Sequence, residues 1–184
     1  MNAQSPKTTT LRIIGGIWRS RTVRFPLFDA VRPTPDRVRE TLFNWLGQDL
    51  SGWTTLEPYA GSGILSFEAL SRGARHAVAW DSNRVMAQAL KTSAGAFGTP
   101  AMEVHHIAAE EGLRAEKRFF DVIFLDPPFS GDSWGWLLPA CAALLKSGAF
   151  IYAEAGKTLS PPPPLTRYRE GKAGQVRYHL FQKP

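Results

Sequence analysis

Phe119-Phe120-Asp121-Val122-Ile123-Phe124-Leu125-Asp126-Pro127-Pro128-Phe129 is the stretch whose reading decides the fold. It opens as an apolar run of the kind that fills a strand buried on both faces of a parallel sheet. It stops at an acid and two prolines, which cannot donate to a sheet ladder and fix their own φ. The backbone beyond Asp126 is therefore stiff, with its carbonyls turned outward. A carboxylate, an outward carbonyl and the Phe129 ring are held together at the C-terminal edge of a sheet, where open α/β sheets take their ligands. Asp-Pro alone would mark only a strand and a turn. The glycine loop upstream gives it a second meaning.

That loop follows Trp53-Thr54-Thr55-Leu56-Glu57, the first core strand, which runs into Pro58-Tyr59-Ala60-Gly61-Ser62-Gly63 and a helix predicted over Ile64 to Ser71. Strand, glycine loop and helix in this order bind nucleotides: the glycines let backbone approach the ligand, and the helix N-terminus faces it. A phosphate-cradling P-loop would need Gly-Lys-Ser/Thr, and no lysine follows Gly63. A dinucleotide fingerprint would need a third glycine where this chain has Ser66. The second strand, His76 to Trp80, ends at Asp81, 18 residues after Gly63. An acid there is placed to accept hydrogen bonds from ribose hydroxyls. A helix from Arg84 to about Ala94 and a strand from Met102 to Ile107 follow. Ala108-Ala109-Glu110-Glu111 then lies where the adenine of such a ligand would sit.

Downstream of Asp126, Gly131-Asp132-Ser133 reads as a cap. Trp134, Leu137, Leu138, Cys141, Leu144 and Leu145 form one buried helix face closed by Gly148. Ala149 to Glu154 is a fifth strand, and Pro161 to Pro164 a polyproline II connection. Leu165 to Arg169 and Gln175 to Phe181 make a terminal hairpin rich in Arg and Lys. At the other end, Leu11 to Gly16 reads as a strand and glycine turn, with a return strand over Ile17 to Phe25. Trp18 among Arg19, Arg21 and Arg24 suits RNA, through phosphate contacts and stacking, although a hairpin covering the core fits equally well. Arg32-Pro33-Thr34-Pro35 starts a helix, with Thr34 as N-cap and Pro35 at its first position. Val38, Leu42, Trp45 and Leu46 are its predicted buried stripe. Arg37, Arg39 and Glu40 lie off it, and Gly47 ends the helix. Arg32 and Arg37 are candidates to reach substrate or cofactor.

Bulk properties agree with a soluble enzyme acting on a polyanion. The 184 residues, 43% hydrophobic and 21% charged, suit one domain with a substantial core. No apolar run approaches the ~20 residues of a membrane span. The polar start, Met1 to Thr10, lacks the apolar core of a signal peptide. One cysteine, Cys141, excludes an internal disulfide and suits a reducing cytoplasm. His76, His105, His106 and His179 show no ligand spacing, so no metal is expected. The net charge of +6 is uneven: residues 1–50 carry eight basic and four acidic side chains, residues 51–155 eight and eleven, residues 156–184 six and one. Two basic arms flank a mildly acidic middle, as for a catalytic core facing nucleic acid.

With these motifs together, the chain resembles S-adenosylmethionine-dependent class I methyltransferases. More narrowly, it is similar to the bacterial family that methylates guanine N2 in 16S ribosomal RNA at position 966. The residues carrying this are Arg12-Ile13-Ile14-Gly15-Gly16 with Trp18-Arg19, Arg32-Pro33-Thr34-Pro35-Asp36-Arg37-Val38-Arg39-Glu40-Thr41-Leu42-Phe43-Asn44-Trp45-Leu46, Tyr59-Ala60-Gly61-Ser62-Gly63, Glu68 to Ala74, and Asp126-Pro127-Pro128-Phe129. Asp-Pro-Pro-aromatic alone is shared with adenine-N6 enzymes; the Arg-Pro-Thr helix is more specific.

The resemblance implies a Rossmann-like α/β fold with a seven-stranded, mostly parallel sheet whose last strand is antiparallel, plus a small N-terminal β extension. The expected layout is a tail over 1–10, a hairpin and helix over 11–50, and the cofactor-binding methyltransferase domain over 51–184. It implies S-adenosylmethionine contacts from Glu57, Tyr59, Ala60, Gly61, Gly63, Asp81, Ser82 and Ala109. It implies catalysis by Asp126, Pro127, Pro128 and Phe129, and RNA contacts from Arg12, Trp18, Arg19, Arg21, Arg32 and Arg37. The expected partner is 16S rRNA in a small-subunit particle, bound by a cytoplasmic monomer with no membrane contact. Two departures stand out: Glu57 replaces a common Asp, and Ala108 or Ala109 stands where an adenine-side Asp is frequent. An adenine-N6 DNA methyltransferase shares the Asp126 motif but usually carries a target-recognition region for which 184 residues leave little room. A dinucleotide oxidoreductase has the wrong glycine spacing, and a non-catalytic RNA-binding assembly factor would not require Asp126.

Overall fold

The computed structural model describes residues 7–27, 34–128 and 133–184. Two of the expected site residues, Arg32 and Phe129, lie outside them.

The chain begins with an antiparallel hairpin, β1 (Thr8–Arg12) and β2 (Thr22–Pro26), then α1 (Asp36–Leu46). The core alternates β3 (Thr54–Glu57), α2 (Ile64–Ser71), β4 (His76–Asp81), α3 (Arg84–Phe97), β5 (Met102–His106), α4 (Ala109–Ala115), β6 (Phe120–Leu125) and α5 (Trp134–Ala143), and closes with β7 (Leu145–Ala155), β8 (Thr166–Ala173) and β9 (Val176–Gln182). The seven core strands form one sheet in the order β5-β4-β3-β6-β7-β9-β8. Neighbours from β5 to β7 pair parallel, whereas β9 runs antiparallel to both β7 and β8. Six strands thus share a direction and the last opposes them, as the resemblance implies.

The apolar run of β6 reflects burial on both sheet faces. Val122 and Phe124 enter a core with Phe43, Phe67 and Tyr152, while Ile123 and Leu125 enter a second with Trp80, Leu137 and Cys141. Helices α1, α2 and α3 border the first core; α4 and α5 border the second. Asp121, the one acid in the run, sits at the strand's start, where it accepts from the Thr54 amide at 2.7 Å and pairs with Lys146 at 2.7 Å.

Five local expectations are corrected. The return strand is confined to Thr22–Pro26, because Ile17–Ser20 form the turn. Thr34 does not cap α1: Pro35 occupies the cap position, and the Thr34 hydroxyl donates to Glu154 Oε1 at 2.8 Å. Arg39 is not on a solvated face but fully buried, with its guanidinium among Glu68, Asp36 and the Arg12 carbonyl. Leu145 belongs to a strand, not to a helix: it pairs with Phe120, and β7 then bulges through Gly148 (φ 78°) before resuming register at Phe150. The proline run also turns at Pro163-Pro164 instead of continuing as one extended helix.

Candidate active site

The sheet order reverses between β3 and β6: the chain fills one side of β3 first and then returns to the other. A crevice at the C-terminal ends of such strands is the binding position of open α/β folds. Glu57 ends β3, Asp81 ends β4 and Asp126 follows β6, so three of the predicted acids converge on this edge.

The glycine loop is fixed from both sides. Gly63, at φ 69°, is the N-cap of α2, and a Cβ there would lie 2.3 Å from Leu90 Cδ2. Gly61, at φ 50°, faces open space: a Cβ there would meet nothing within 4 Å. Asp81 accepts from the Gly61 amide at 2.9 Å through Oδ2 and from the Asn83 amide at 2.7 Å through Oδ1. The same carboxylate expected to bind ribose therefore also holds the loop. Burial pushes its pKa up, against these bonds and the nearby His106. His106 reaches the Ser82 carbonyl at 3.1 Å and is a neighbour that the sequence alone did not single out.

Glu57 accepts from the Ser66 amide at 3.0 Å and hydroxyl at 2.5 Å, which ties the strand end to the first turn of α2. Ser66 stands where a dinucleotide fingerprint has glycine, and its hydroxyl here has a partner. Burial raises Glu57 to about 8. Tyr59 is half-buried against the second core, and Ala60 is buried with its amide on the Trp80 carbonyl at 2.9 Å. Ser82 is exposed beside Asp81, and Ala109 is buried as the first residue of α4. A molecule with a ribose diol and a positive centre fits this donor set: an open glycine cradle, a partly exposed carboxylate and further acids across the edge. Replacing Asp81 by Ala removes one charge-assisted bond to the glycine loop and one to the Asn83 amide, each worth about 1.5–3 kcal/mol. Affinity for S-adenosylmethionine is expected to fall by roughly tenfold or more, measured by calorimetry.

Asp126 is partly buried; Pro127 is buried and Pro128 exposed. Burial first, then the charges of Glu154 and Glu57, push Asp126 up to about 8. Glu154 has no site role among the expectations from sequence, although it too is a lone acid closing an apolar parallel strand. It is 5% exposed and held by the Thr34 hydroxyl at 2.8 Å and the Tyr152 hydroxyl at 2.9 Å.

The structure parts the predicted RNA-contacting residues. Trp18 and Arg19 sit at the Ser71 end of α2, where the Trp18 amide bonds Ser71 Oγ at 2.9 Å. That is the opposite end from the glycine loop, about 12 Å away by helical rise. The Trp18 ring packs on Phe97 at 4.9 Å, and Arg21 lies over Phe97 at 4.0 Å while bonding the Ala96 carbonyl. Both are committed to α3, so free stacking by Trp18 is not what its position provides. Arg12 pairs with Asp36 at 3.6 Å. Arg19 and Arg37 are exposed without an ion pair among the described residues; Arg37 lies in the first turn of α1, three residues beyond Thr34.

Residues 11–182 match the family described as conserved hypothetical protein 95. Ribosomal RNA small subunit methyltransferase D of Escherichia coli is 36% identical, over 94% of this chain and 90% of that protein. Its Haemophilus influenzae namesake is 36% identical, over 94% and 93%. Among solved structures, the Escherichia coli protein yhhF superposes with a TM-score of 0.86 at 35% identity, covering 95% of this chain and 98% of that one. A Thermus thermophilus 16S rRNA N2 G1207 methyltransferase, solved with AdoMet and guanosine, has a TM-score of 0.75 at 21% identity, over 97% of this chain and 50% of its own. That likeness speaks for the fold.

Proposed function

The chain belongs to the conserved hypothetical protein 95 family, a small-subunit ribosomal RNA methyltransferase family by its curated relatives, and from that premise we propose that it methylates the N2 amine of a guanine in 16S rRNA, at position 966. S-adenosylmethionine is the methyl donor; when bound, it supplies an electrophilic methyl on a sulfonium. The observation that carries the reading is Asp126, followed by two prolines, at the strand end across the switch point from the glycine loop.

An exocyclic guanine amine is a poor nucleophile, because its lone pair is delocalised into the ring. Asp126 and the Pro127 carbonyl accept its two N–H bonds and draw the nitrogen toward a tetrahedral shape that frees the lone pair. Phe129 holds the base by stacking. The acceleration comes from positioning, without a strong base before transfer; the donor's S–CH3 bond would break as the N–C bond forms, and the methylated amine then gives up its surplus proton through the Asp126 carboxylate to water. The base is unstacked or looped out to enter. Glu57, Tyr59, Ala60, Gly61, Gly63, Asp81, Ser82 and Ala109 form the cofactor side. Arg37, in the first turn of α1, is the RNA-contacting arginine we propose for the base side, and Arg12 and Arg19 would meet RNA farther out; Arg32, outside the described residues, stays a candidate from the sequence. The enzyme acts as a cytoplasmic monomer on a small-subunit particle.

Asp126 accepts N–H bonds most strongly as the carboxylate; protonated, it keeps a weaker acceptor oxygen and turns an O–H toward the amine instead. With its pKa pushed up to about 8, kcat/KM for RNA is expected to rise with pH, by about tenfold per unit, and to level off near or below 8. The bound sulfonium favours ionisation and sets the direction of any displacement. The apparent value belongs to Asp126 and Glu154 together. A rate flat from pH 5.5 to 8.5 would contradict this role.

The function is tested by transfer of labelled methyl to small-subunit particles and naked 16S RNA, both from cells lacking the enzyme, with DNA in parallel. Label recovered as N2-methylguanine at one RNA position is the expected result, and label in DNA adenine would overturn it.

A further inference from the structure

Strands β6 and β7 pair in parallel, with Phe124 beside Tyr152 and Leu125 beside Ala153. One step further, this register sets Asp126 beside Glu154. Laterally paired residues of adjacent strands project from the same face, with backbones about 4.8 Å apart. The charge of Glu154 helps to push the Asp126 pKa up, as expected for neighbours. Both named bonds to Glu154, from Thr34 and Tyr152, fall on Oε1; among the described residues no donor reaches Oε2.

An ionised carboxylate can only accept. Two carboxyls side by side, each ionised as it meets an N–H, suit an edge that presents adjacent donors. Guanine presents the N2 amine and, next to it, N1–H. Adenine presents an amine beside a bare N1 lone pair, as does cytosine with its N3. We propose that Glu154 is a specificity-determining residue: it accepts the N1–H of the target guanine while Asp126 accepts from the N2 amine. The pair then reads guanine and turns away bases whose ring nitrogen is an acceptor. This rests on the methyl-transfer reading above and adds to it the reason that an Asp-Pro-Pro-Phe site selects guanine. Burial strengthens the choice, because an acceptor facing another lone pair away from water stays unpaired. Thr34 and Tyr152 orient Glu154, so the Thr of the Arg-Pro-Thr segment contributes to base choice through it.

The test changes the substrate at N1, through a base that lacks the 6-oxo group and with it the N1 proton. 2-Aminopurine keeps the 2-amine but has an acceptor at N1. Reconstituted small-subunit particles would carry guanine or 2-aminopurine at the target position of their 16S RNA. The wild-type protein is expected to methylate guanine about a hundredfold faster, or more. Glu154→Gln keeps an oxygen for Thr34 and Tyr152 and turns an N–H donor toward the base. Its guanine rate is expected to fall about a hundredfold while its preference shifts toward 2-aminopurine, with S-adenosylmethionine affinity unchanged. The inference is overturned if the wild type accepts both bases within a few-fold, or if the variant loses both by one common factor, as for a purely structural carboxyl. The wild-type comparison stands even if the variant fails to fold. No transfer to guanine itself would overturn the parent reading, and this inference with it.

Discussion

Asp126→Ala is expected to lower methyl transfer by about a thousandfold or more while leaving S-adenosylmethionine affinity within a few-fold. The carboxylate is asked to act on the nucleophile, and the cofactor contacts come from the ends of β3 and β4. The expected loss is therefore in kcat as well as kcat/KM, with little change in calorimetric affinity. Stability gives an independent check. In the unfolded chain Asp126 ionises near its ordinary 3.8, whereas in the fold it keeps its proton up to about 8. Folding thus takes up a proton in that window, and the carboxyl costs stability progressively between about pH 4 and pH 8, and fully above it. The Ala variant is accordingly expected to be as stable as the wild type, or more so, at pH 8.5. A variant that lost activity, cofactor binding and thermal stability together would show Asp126 to be a structural residue instead.

Arg39→Ala is expected to be the most damaging substitution for stability. Arg39 and Glu68 are both 0% exposed, and Arg39 Nη1 meets Glu68 Oε1 at 2.7 Å. The same guanidinium donates to the Arg12 carbonyl at 2.9 Å and, through Nε, to the Thr34 carbonyl at 3.3 Å. Glu68 in turn accepts from the Ile14 amide at 2.6 Å and pairs with Arg72 at 3.4 Å. The pair joins the hairpin, α1 and α2 at one point. Burial pushes the Glu68 pKa up despite both guanidiniums, so the ion pair adds little net stability relative to an apolar pair. Removing one partner is a different matter, because it leaves a buried charge uncompensated at about 3–5 kcal/mol. For a chain of this length that is a Tm loss of roughly 6–20 °C. The double variant Arg39→Met with Glu68→Leu should lose less than Arg39→Ala alone. Equal losses in the two would show that the cost lies in the bonds to backbone carbonyls and not in the stranded carboxylate.

Residue pattern was enough wherever an element's environment is uniform along its length. The apolar run of β6 is buried on both faces, and glycines punctuate β3–α2, so the order of core elements and the positions of Glu57, Gly61, Gly63, Asp81 and Asp126 on one edge were legible. It failed where a polar side chain is satisfied by a partner distant in sequence. Thr34 reads as a helix cap because local bonding favours it, but Glu154, 120 residues on, takes its hydroxyl. Arg39 lies off the predicted apolar stripe of α1 and so reads as solvated, although Glu68 from another helix neutralises it in the interior. Trp18 and Arg21 read as a stacking surface, yet both lie against Phe97. Leu145 keeps helical spacing but pairs with Phe120, because the ladder between β6 and β7 outcompetes one more helical turn.

By itself, the sequence determined that this chain is a class I methyltransferase-type α/β fold with an acid and two prolines at its central strand end. Hydrophobic period, glycine spacing and proline stiffness are local properties, and each is carried by neighbouring residues. Only the tertiary structure decided that Glu154 stands beside Asp126, that Thr34 serves the site and not the helix, and that Arg19 and Arg21 lie toward the far end of α2 and against α3. Those outcomes depend on strand register and on the pairing of buried charges. Both are set by which segments meet in space, across separations that no local pattern encodes.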